Sequence, residues 1–245
     1  MGNEACPMFL DNVKIRSDRF PDNSVYPFNL DVLHKTPQIV LDRPVTFFIG
    51  ENGSGKSTLL RAICRKAGVH IWEDTSRLTL DNNPYADSLS DYLELGLPKG
   101  GVKGSFFDSR TFQDFTRFLD EWAAASPDIL KYFGGDSLTN RSHGQSLMKY
   151  FESRYKVKGL YFMDEPETAL SPKSQIMLLN LLSQASASDH NQFIIVSHSP
   201  ILLACPGASI YTFDTAPVSS IGYYDTQYYR VYRDFLNEPE SFIEK

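Results

Sequence analysis

Nine consecutive residues, Gly50-Glu51-Asn52-Gly53-Ser54-Gly55-Lys56-Ser57-Thr58, gather three glycines, three hydroxyls and one ammonium into a single loop. They fit G-x-x-x-x-G-K-[ST], whose four fixed positions arise by chance in roughly one chain of this length in a hundred. Glycines let successive backbone N–H groups turn toward one anion, and a helix starting near Lys56 aims its positive end at the same point. That is chemistry for a polyphosphate, with Lys56 reaching the β- and γ-phosphates and Ser57 offering its hydroxyl to Mg2+. A glycine-rich helix entry with a surface lysine is the plainer alternative. A second run, Leu160-Tyr161-Phe162-Met163-Asp164-Glu165-Pro166, is apolar until it ends in two acids. At such a strand end Asp164 holds Mg2+ through its water shell, while Glu165 points at the γ-phosphate and polarises an attacking water. Alone, an acid pair after a strand is an ordinary helix-start turn. Beside the glycine-rich loop it specifies phosphate and metal chemistry.

Strands and helices must bring these residues together. Val45 to Ile49 is a short apolar run between Pro44 and the glycine-rich turn, as expected of a strand buried on both faces. A helix from Lys56 to Ala67, closed by Gly68, should follow. Gly159 to Met163, Gln192 to Val196 and Ser209 to Phe213 read as further buried strands. His143 to Tyr155, Pro172 to Ala187 and Tyr228 to Leu236 read as helices, the second with proline in its first turn. The alternation implies an α/β fold, a parallel sheet wrapped by helices with Asp164 and Glu165 on the carboxyl edge where ligands bind. Ahead of it, Asn12 to Arg16, Val25 to Leu33 and Gln38 to Leu41, separated by Pro21, Pro27 and Pro37, look like antiparallel strands. The middle is less regular: a loop from Trp72 to Pro84, a helix near Tyr85 to Leu95, a turn ending at Gly101 and a strand from Val102 to Phe107. Thr111 to Ala125 follows as an amphipathic helix whose Phe112, Phe115, Phe118, Leu119 and Trp122 form a stripe expected in the core.

With 245 residues, 42% hydrophobic and 22% charged, the chain can bury a real core in one domain and is not a disordered segment. Its 24 basic and 30 acidic residues, net −6, argue against the uniformly basic face of a protein held mainly by DNA phosphates. Arg141, His143, Lys149, Arg154, Lys156 and Lys158 do cluster, first as a solvated helix face, with a partner patch as the alternative. Three cysteines, Cys6, Cys64 and Cys205, stand at unrelated spacings, so neither a disulfide framework nor a zinc site is indicated and a reducing compartment suits them. Met1 to Leu10 has no signal layout, and no stretch reaches the roughly 18 apolar residues of a spanning helix. A soluble, cytoplasmic protein with no transmembrane segment is expected.

These residues resemble the ABC-type ATPase superfamily, in which a strand ends Asp-Glu-Pro as Asp164-Glu165-Pro166 does. The resemblance implies a P-loop NTPase head in a single domain, 1–245: a mostly parallel sheet, an N-terminal antiparallel β part and a small helical lobe at about 70–155. Ser142-His143-Gly144-Gln145 resembles a variant of that superfamily's signature, although the same residues would also serve as an N-cap turn. As a signature, Ser142, Gly144 and Gln145 bind the γ-phosphate of a second ATP, which implies a head-to-tail homodimer with two ATP molecules sandwiched. Ala169-Leu170-Ser171-Pro172 occupies the D-loop position, where Ser171 departs from the usual aspartate and suits an N-cap. Ser197-His198-Ser199-Pro200 resembles the switch-histidine segment, so that His198 contacts the γ-phosphate or the attacking water beside Glu165; a lone histidine there otherwise caps or packs. Gln113 is the one glutamine between the P-loop helix and the signature, and either fills the Q-loop role or faces solvent. Tyr26 is the nearest upstream aromatic for stacking adenine, and Arg16 and Arg110 either reach a phosphate or lie on the surface.

The likeness is to small stand-alone bacterial AAA-family ATPases, similar to SMC- and RecF-type heads. Residues 108 to 141 are too few, and lack the heptads, for the coiled-coil arm of those heads. The implied activity is ATP plus water to ADP and phosphate, with Glu165, His198 and Lys56 catalytic and Ser57 and Asp164 at the metal. Binding would close two heads and hydrolysis release them, driving an unidentified effector. Two rivals remain open: an ATPase subunit of a membrane transporter, and a nucleotide-switched module in DNA repair or phage defence. Nucleic acid as a partner is not indicated by the net charge. A small-molecule kinase is weaker, because kinases lack the Ser142 signature.

Overall fold

The computed structural model describes residues 8–72, 83–126, 128, 143–187 and 191–243. Its strands are β1 (Asn12–Ile15), β2 (Gln38–Val40), β3 (Val45–Ile49), β4 (Leu93–Leu95), β5 (Gly104–Asp108), β6 (Gly159–Asp164), β7 (Asn191–Val196), β8 (Ser209–Thr212) and β9 (Ser219–Ser220). Its helices are α1 (Asp31–Lys35), α2 (Lys56–Lys66), α3 (Phe112–Ala125), α4 (His143–Arg154), α5 (Pro172–Ala187), α6 (Pro200–Leu203) and α7 (Gln227–Asn237).

A six-stranded sheet runs in the order β5-β6-β7-β3-β8-β9, parallel from β5 to β8 and antiparallel only at β9. Every residue of β3, β6 and β7 is buried, as parallel strands covered on both faces must be. Alternate residues feed two cores. Phe48, Phe162, Ile194 and Val196 pack with Leu59, Leu60 and Ile63 of α2, while Phe47, Tyr161, Met163, Phe193 and Ile195 pack with Leu147 and Phe151 of α4 and Leu178 and Leu182 of α5. The register leaves the strand ends level: Asp108 faces Asp164, Asp164 faces Val196, and Phe48 faces both Val196 and Tyr211. Residues just past those ends, Gly50, Glu165, His198 and Asp214, therefore share one edge.

A small antiparallel sheet, β2-β1-β4, stands beside the large one. The buried Gln192 side chain joins them, its Oε1 accepting from Leu10 N at 2.8 Å and its Nε2 donating to Leu10 O at 2.7 Å. A side-chain amide here completes the backbone pairing that a strand neighbour would supply.

Several expectations need correction. Residues 25–33 form turns and the start of α1 rather than a strand, because burying adjacent Val32 and Leu33 suits one helical face, and Lys35 closes on Asp31 at 2.9 Å one turn back. The helix expected near 85–95 is a single 3-10 turn, Ser88–Tyr92, followed by β4, in which Leu93 points inward and Glu94 outward with a strand's period of two. β4 falls inside the 70–155 stretch expected to be a helical lobe and belongs instead to the small sheet, while the strand expected at Val102 to Phe107 is β5 of the large one. The aromatic stripe of α3 is only half core: Phe112 and Leu119 are buried, whereas Phe118 and Trp122 lie 4.8 Å apart, 39% and 49% exposed. Of the expected basic cluster, Arg154 donates to Gly104 O at 3.0 Å, and Arg141 lies outside the described residues. Cys64 and Cys205 are buried free thiols, burial pushing Cys205 up to about 11, and Cys6 lies outside the described residues. No described helix is long and apolar enough to cross a membrane.

Gln192→Leu strips partners from two buried backbone groups at once. It should lower stability by about 3 kcal/mol, read as a lower urea midpoint at unchanged slope, and an unchanged midpoint would show the amide to be dispensable.

Candidate nucleotide site

The loop between β3 and α2 depends on its glycines at two points. Gly50, at φ +141°, passes so close to Asp214 that an added Cβ would meet its Oδ1 at 2.9 Å. Gly55, the left-handed N-cap of α2 at φ +95°, would drive a Cβ to 3.0 Å from Leu30 Cδ1. Asp214 Oδ1 accepts from Glu51 N at 2.6 Å, fixing the loop's far side. Among the described residues, no side chain caps the α2 N-terminus and no acid occupies its first turn, so its positive end is not neutralised from within. Lys56 is only 4% exposed, and its Nζ donates to Gly50 O at 2.6 Å, Glu51 O at 2.7 Å and Ser54 Oγ at 3.3 Å. Burial pushes its pKa down, against the pull of the Asp214, Glu165, Asp164 and Glu51 carboxylates.

Ser57 Oγ donates to Asp164 Oδ1 at 2.8 Å. The partner oxygen of Asp164 meets Arg110 at 3.3 Å and Arg61 at 4.0 Å, and both arginines also bind Asp108, the neighbour of Asp164 across β5 and β6. Burial and the Asp108 charge raise the Asp164 pKa, opposed by Ser57, Arg61 and Arg110. A hydroxyl and a carboxylate held this close are the hard oxygen donors that Mg2+ takes, so the residues present fit that ion. A cleft of about 210 Å3 opens over this cluster, lined by Tyr26, Ser57, Thr58, Arg61, Arg65 and Arg110.

Glu165 sits next to Asp164 at φ +49°, the single non-glycine residue with positive φ among those described, a conformation costing about 1–3 kcal/mol. Its Oε1 lies 3.5 Å from His198 Nε2, a buried nitrogen without a hydrogen-bond partner. His198 is held by three bonds from three elements. Its N–H donates to Glu167 Oε1 at 2.5 Å, its Nδ1 meets Tyr228 Oη at 2.7 Å, and the following Ser199 donates to Gln175 Oε1 at 2.6 Å. Burial and the Lys56 charge lower the His198 pKa, while Glu165 and Glu51 raise it. A second cleft, about 300 Å3, is lined by Glu51, Asn52, Glu165, His198 and Tyr228.

The structure thus brings Lys56, Ser57, Asp164, Glu165 and His198 to one edge. Gly144 and Gln145 lie in the first turn of α4, where a Cβ on Gly144 would stand 3.7 Å from Ala169 O and 3.9 Å from Ser174 Oγ. Ser142 lies outside the described residues. Ser171 Oγ accepts from Ser174 N at 3.3 Å, as its N-cap reading requires. Gln113 is in the first turn of α3, past the sheet edge, and its side chain lies outside the described residues. Tyr26 bonds Thr58 through its hydroxyl. Arg16 is paired with Asp18 at 3.0 Å and Glu94 at 2.6 Å on the surface, whereas Arg110 reaches the Asp164 cluster. Four site residues have no place in the sequence reading: Asp108, Glu167, Asp214 and Tyr228. Asp108 and Asp214 carried the same signal as Asp164, an apolar strand ending in aspartate.

Two family models match the chain, and they divide this site between them. One, described as an AAA domain, covers residues 29–89 and with them the Gly50–Thr58 loop; the other, an AAA ATPase domain, covers 139–203 and with it Asp164, Glu165 and His198. Both models describe AAA-type ATPase domains, and the two matched stretches belong to one α/β fold with a mostly parallel sheet. Among curated proteins, the chain is 23% identical over 175 residues to the probable siderophore transport system ATP-binding protein YusV of Bacillus subtilis (strain 168), a match that spans 66% of this chain and 63% of that relative's length. Among solved structures, it is similar to the SMC head domain from Thermotoga maritima, at TM-score 0.48 and 17% identity over 88% of this chain and all of that one. It is also similar to an inward-facing putative metal-chelate type ABC transporter, at TM-score 0.49 and 16% identity over 78% of this chain and 76% of that one.

A raised carboxyl pKa means that the folded chain holds its proton longer than the unfolded one. Asp164 therefore costs stability as pH rises through its folded value, and the cost persists at neutral pH. Asp164→Asn should raise the melting temperature of the nucleotide-free protein, by about 3 °C, and remove any further gain on adding Mg-ATP. A lower nucleotide-free melting temperature would mean that the two arginines outweigh the desolvation.

Proposed function

We propose that this chain, as a single domain, binds ATP with Mg2+ and hydrolyses it to ADP and phosphate, working as a nucleotide-driven head-to-tail homodimer on the cytoplasmic side. The observation that carries this reading is the convergence of a buried ammonium, a hydroxyl–carboxylate pair and a carboxylate–imidazole pair at one sheet edge. Gly50 to Thr58 wrap the phosphates with backbone N–H groups, and Lys56 exchanges its carbonyl partners for phosphate oxygens. Ser57 and Asp164 would hold Mg2+, beside the Arg110 guanidinium that now meets the same carboxylate at 3.3 Å. Bound there, Mg2+ supplies charge neutralisation at the phosphates. Glu165 accepts a proton from water and orients it for attack, and His198 Nε2 accepts a hydrogen bond from that water on the same side.

The dimer completes the site. Gly144 and Gln145 sit in the first turn of α4 and, with Ser142 just before it in sequence, present that helix's positive end to the ATP of a second copy. An effector then reads the closed and open states. The likeness to a siderophore-transport ATP-binding protein favours a second reading, the ATPase subunit of a membrane transporter.

Light scattering with and without Mg-ATP, together with phosphate release, tests the proposal on the wild type and on Glu165→Gln. The variant should be trapped as a dimer, with turnover reduced at least about 100-fold. Sustained turnover by a monomer after either Glu165→Gln or Ser142→Ala would overturn it.

A further inference from the structure

Tyr228 comes from α7, after the last strand of the sheet, yet its hydroxyl lies inside the site. Tyr228 Oη stands 3.0 Å from Gly50 O and 2.7 Å from His198 Nδ1. A carbonyl oxygen only accepts, so the one phenolic proton is committed to Gly50, and the phenol oxygen must accept from His198. Nδ1 then carries the imidazole proton. Nε2 is left with its lone pair toward Glu165, buried and without a hydrogen-bond partner.

We propose that Tyr228 is a positioning residue that fixes the protonated nitrogen of His198, leaving Nε2 as the acceptor beside Glu165. The inference rests on the reading of His198 as a member of the ATP site. Burial pushes the Tyr228 pKa up to about 12, so the phenol keeps its proton throughout the neutral range. Gly50 O also accepts from Lys56 Nζ at 2.6 Å. When Lys56 turns to a phosphate, Tyr228 still satisfies that carbonyl, and the direction of the hydrogen-bond relay is unchanged. The ring is well anchored: Thr226, fully buried, caps α7 by accepting from Tyr229 N at 3.2 Å and donates to Tyr223 O at 2.7 Å. The charged groups around the His198–Tyr228 pair come from three segments: Glu51 and Lys56 of the glycine-rich loop, Glu165 and Glu167 after β6, and Asp214 after β8. A neutral imidazole in their midst would otherwise choose its tautomer by the nearest carboxylate, placing the proton on Nε2 toward Glu165.

The test reads the tautomer directly. Long-range 1H–15N correlation spectra of the 15N-histidine-labelled, nucleotide-free protein at pH 8 report all five histidines, and His198→Gln identifies the resonance. His198 should be Nδ1-protonated in the wild type and mainly Nε2-protonated in Tyr228→Phe. An Nε2-protonated wild type, or a tautomer unmoved by Tyr228→Phe, overturns the proposal. In ATPase assays, Tyr228→Phe should lower kcat about tenfold with KM for ATP nearly unchanged, and should add nothing in a His198→Gln background. An equal loss in both backgrounds would place the phenol's action on the P-loop and overturn the proposal in the same way. Failure of the wild type to hydrolyse ATP would sink the ATPase reading, while the spectra would still decide the tautomer.

Discussion

A lysine ammonium taken almost wholly out of water is the constraint around which the site is organised. Each of the three hydrogen bonds from Lys56 ends on a neutral oxygen, and the surrounding carboxylates pull on it only through space. A buried cation in that position has its donors filled but no direct counter-ion among the described residues, and an anion brought to the same loop supplies one. The turn at Gly50, the left-handed Gly55 and the uncapped start of α2 all serve to hold the ammonium and the amides at one point. Asp214 braces the loop from behind without forming a direct ion pair, which would have removed the need for a ligand.

The metal cluster follows the same logic with the signs reversed. Asp108 and Asp164 are adjacent across a parallel pair and both buried, so their two negative charges are held together by Arg61 and Arg110. Arg61 is rooted in α2, whereas Arg110 is on the loop after β5 and remains 63% exposed. One counter-charge thus comes from an exposed loop and the other from the scaffold helix. Each half of the site is built to be incomplete, and the two halves lie side by side on Lys56 and Ser57, consecutive residues of one helix.

Sequence sufficed where the chemistry is contiguous. The loop from Gly50 to Thr58, the Asp164-Glu165 strand end and the His198 segment each carry their own spacing, and the strands and helices holding them were legible from runs of buried residues and from Gly68 and Pro172. What escaped was whatever depends on register or on crossing the chain. Asp108 matters because it faces Asp164, and Glu167 because its carboxylate turns to the backbone of His198. Tyr228 sits in a stretch, 223–232, with five tyrosines in ten residues, and nothing local distinguishes it from Tyr229 or Tyr232. The segment from Val25 to Leu33 misled because prolines bracket it as they would a strand, while its helical face becomes visible only once Val32 and Leu33 are buried together. Half of the α3 stripe pointed outward for the opposite reason: an amphipathic pattern states that a face is apolar, and not what lies opposite it.

The position of β3 has a consequence in time. This strand, which carries the nucleotide loop, lies between β7 and β8, and in the register Val45 meets Phe193 while Thr46 meets Ser209. Both neighbours belong to the last quarter of the chain. During synthesis this strand is therefore made before both its partners and must wait, unpaired, until they emerge. The antiparallel ribbon of β1 and β2, made first and closed by short-range contacts, is the natural shelter during that interval, and its attachment through Gln192 can form only when β7 arrives. In this architecture the residues first to be translated into the site are among the last to become one.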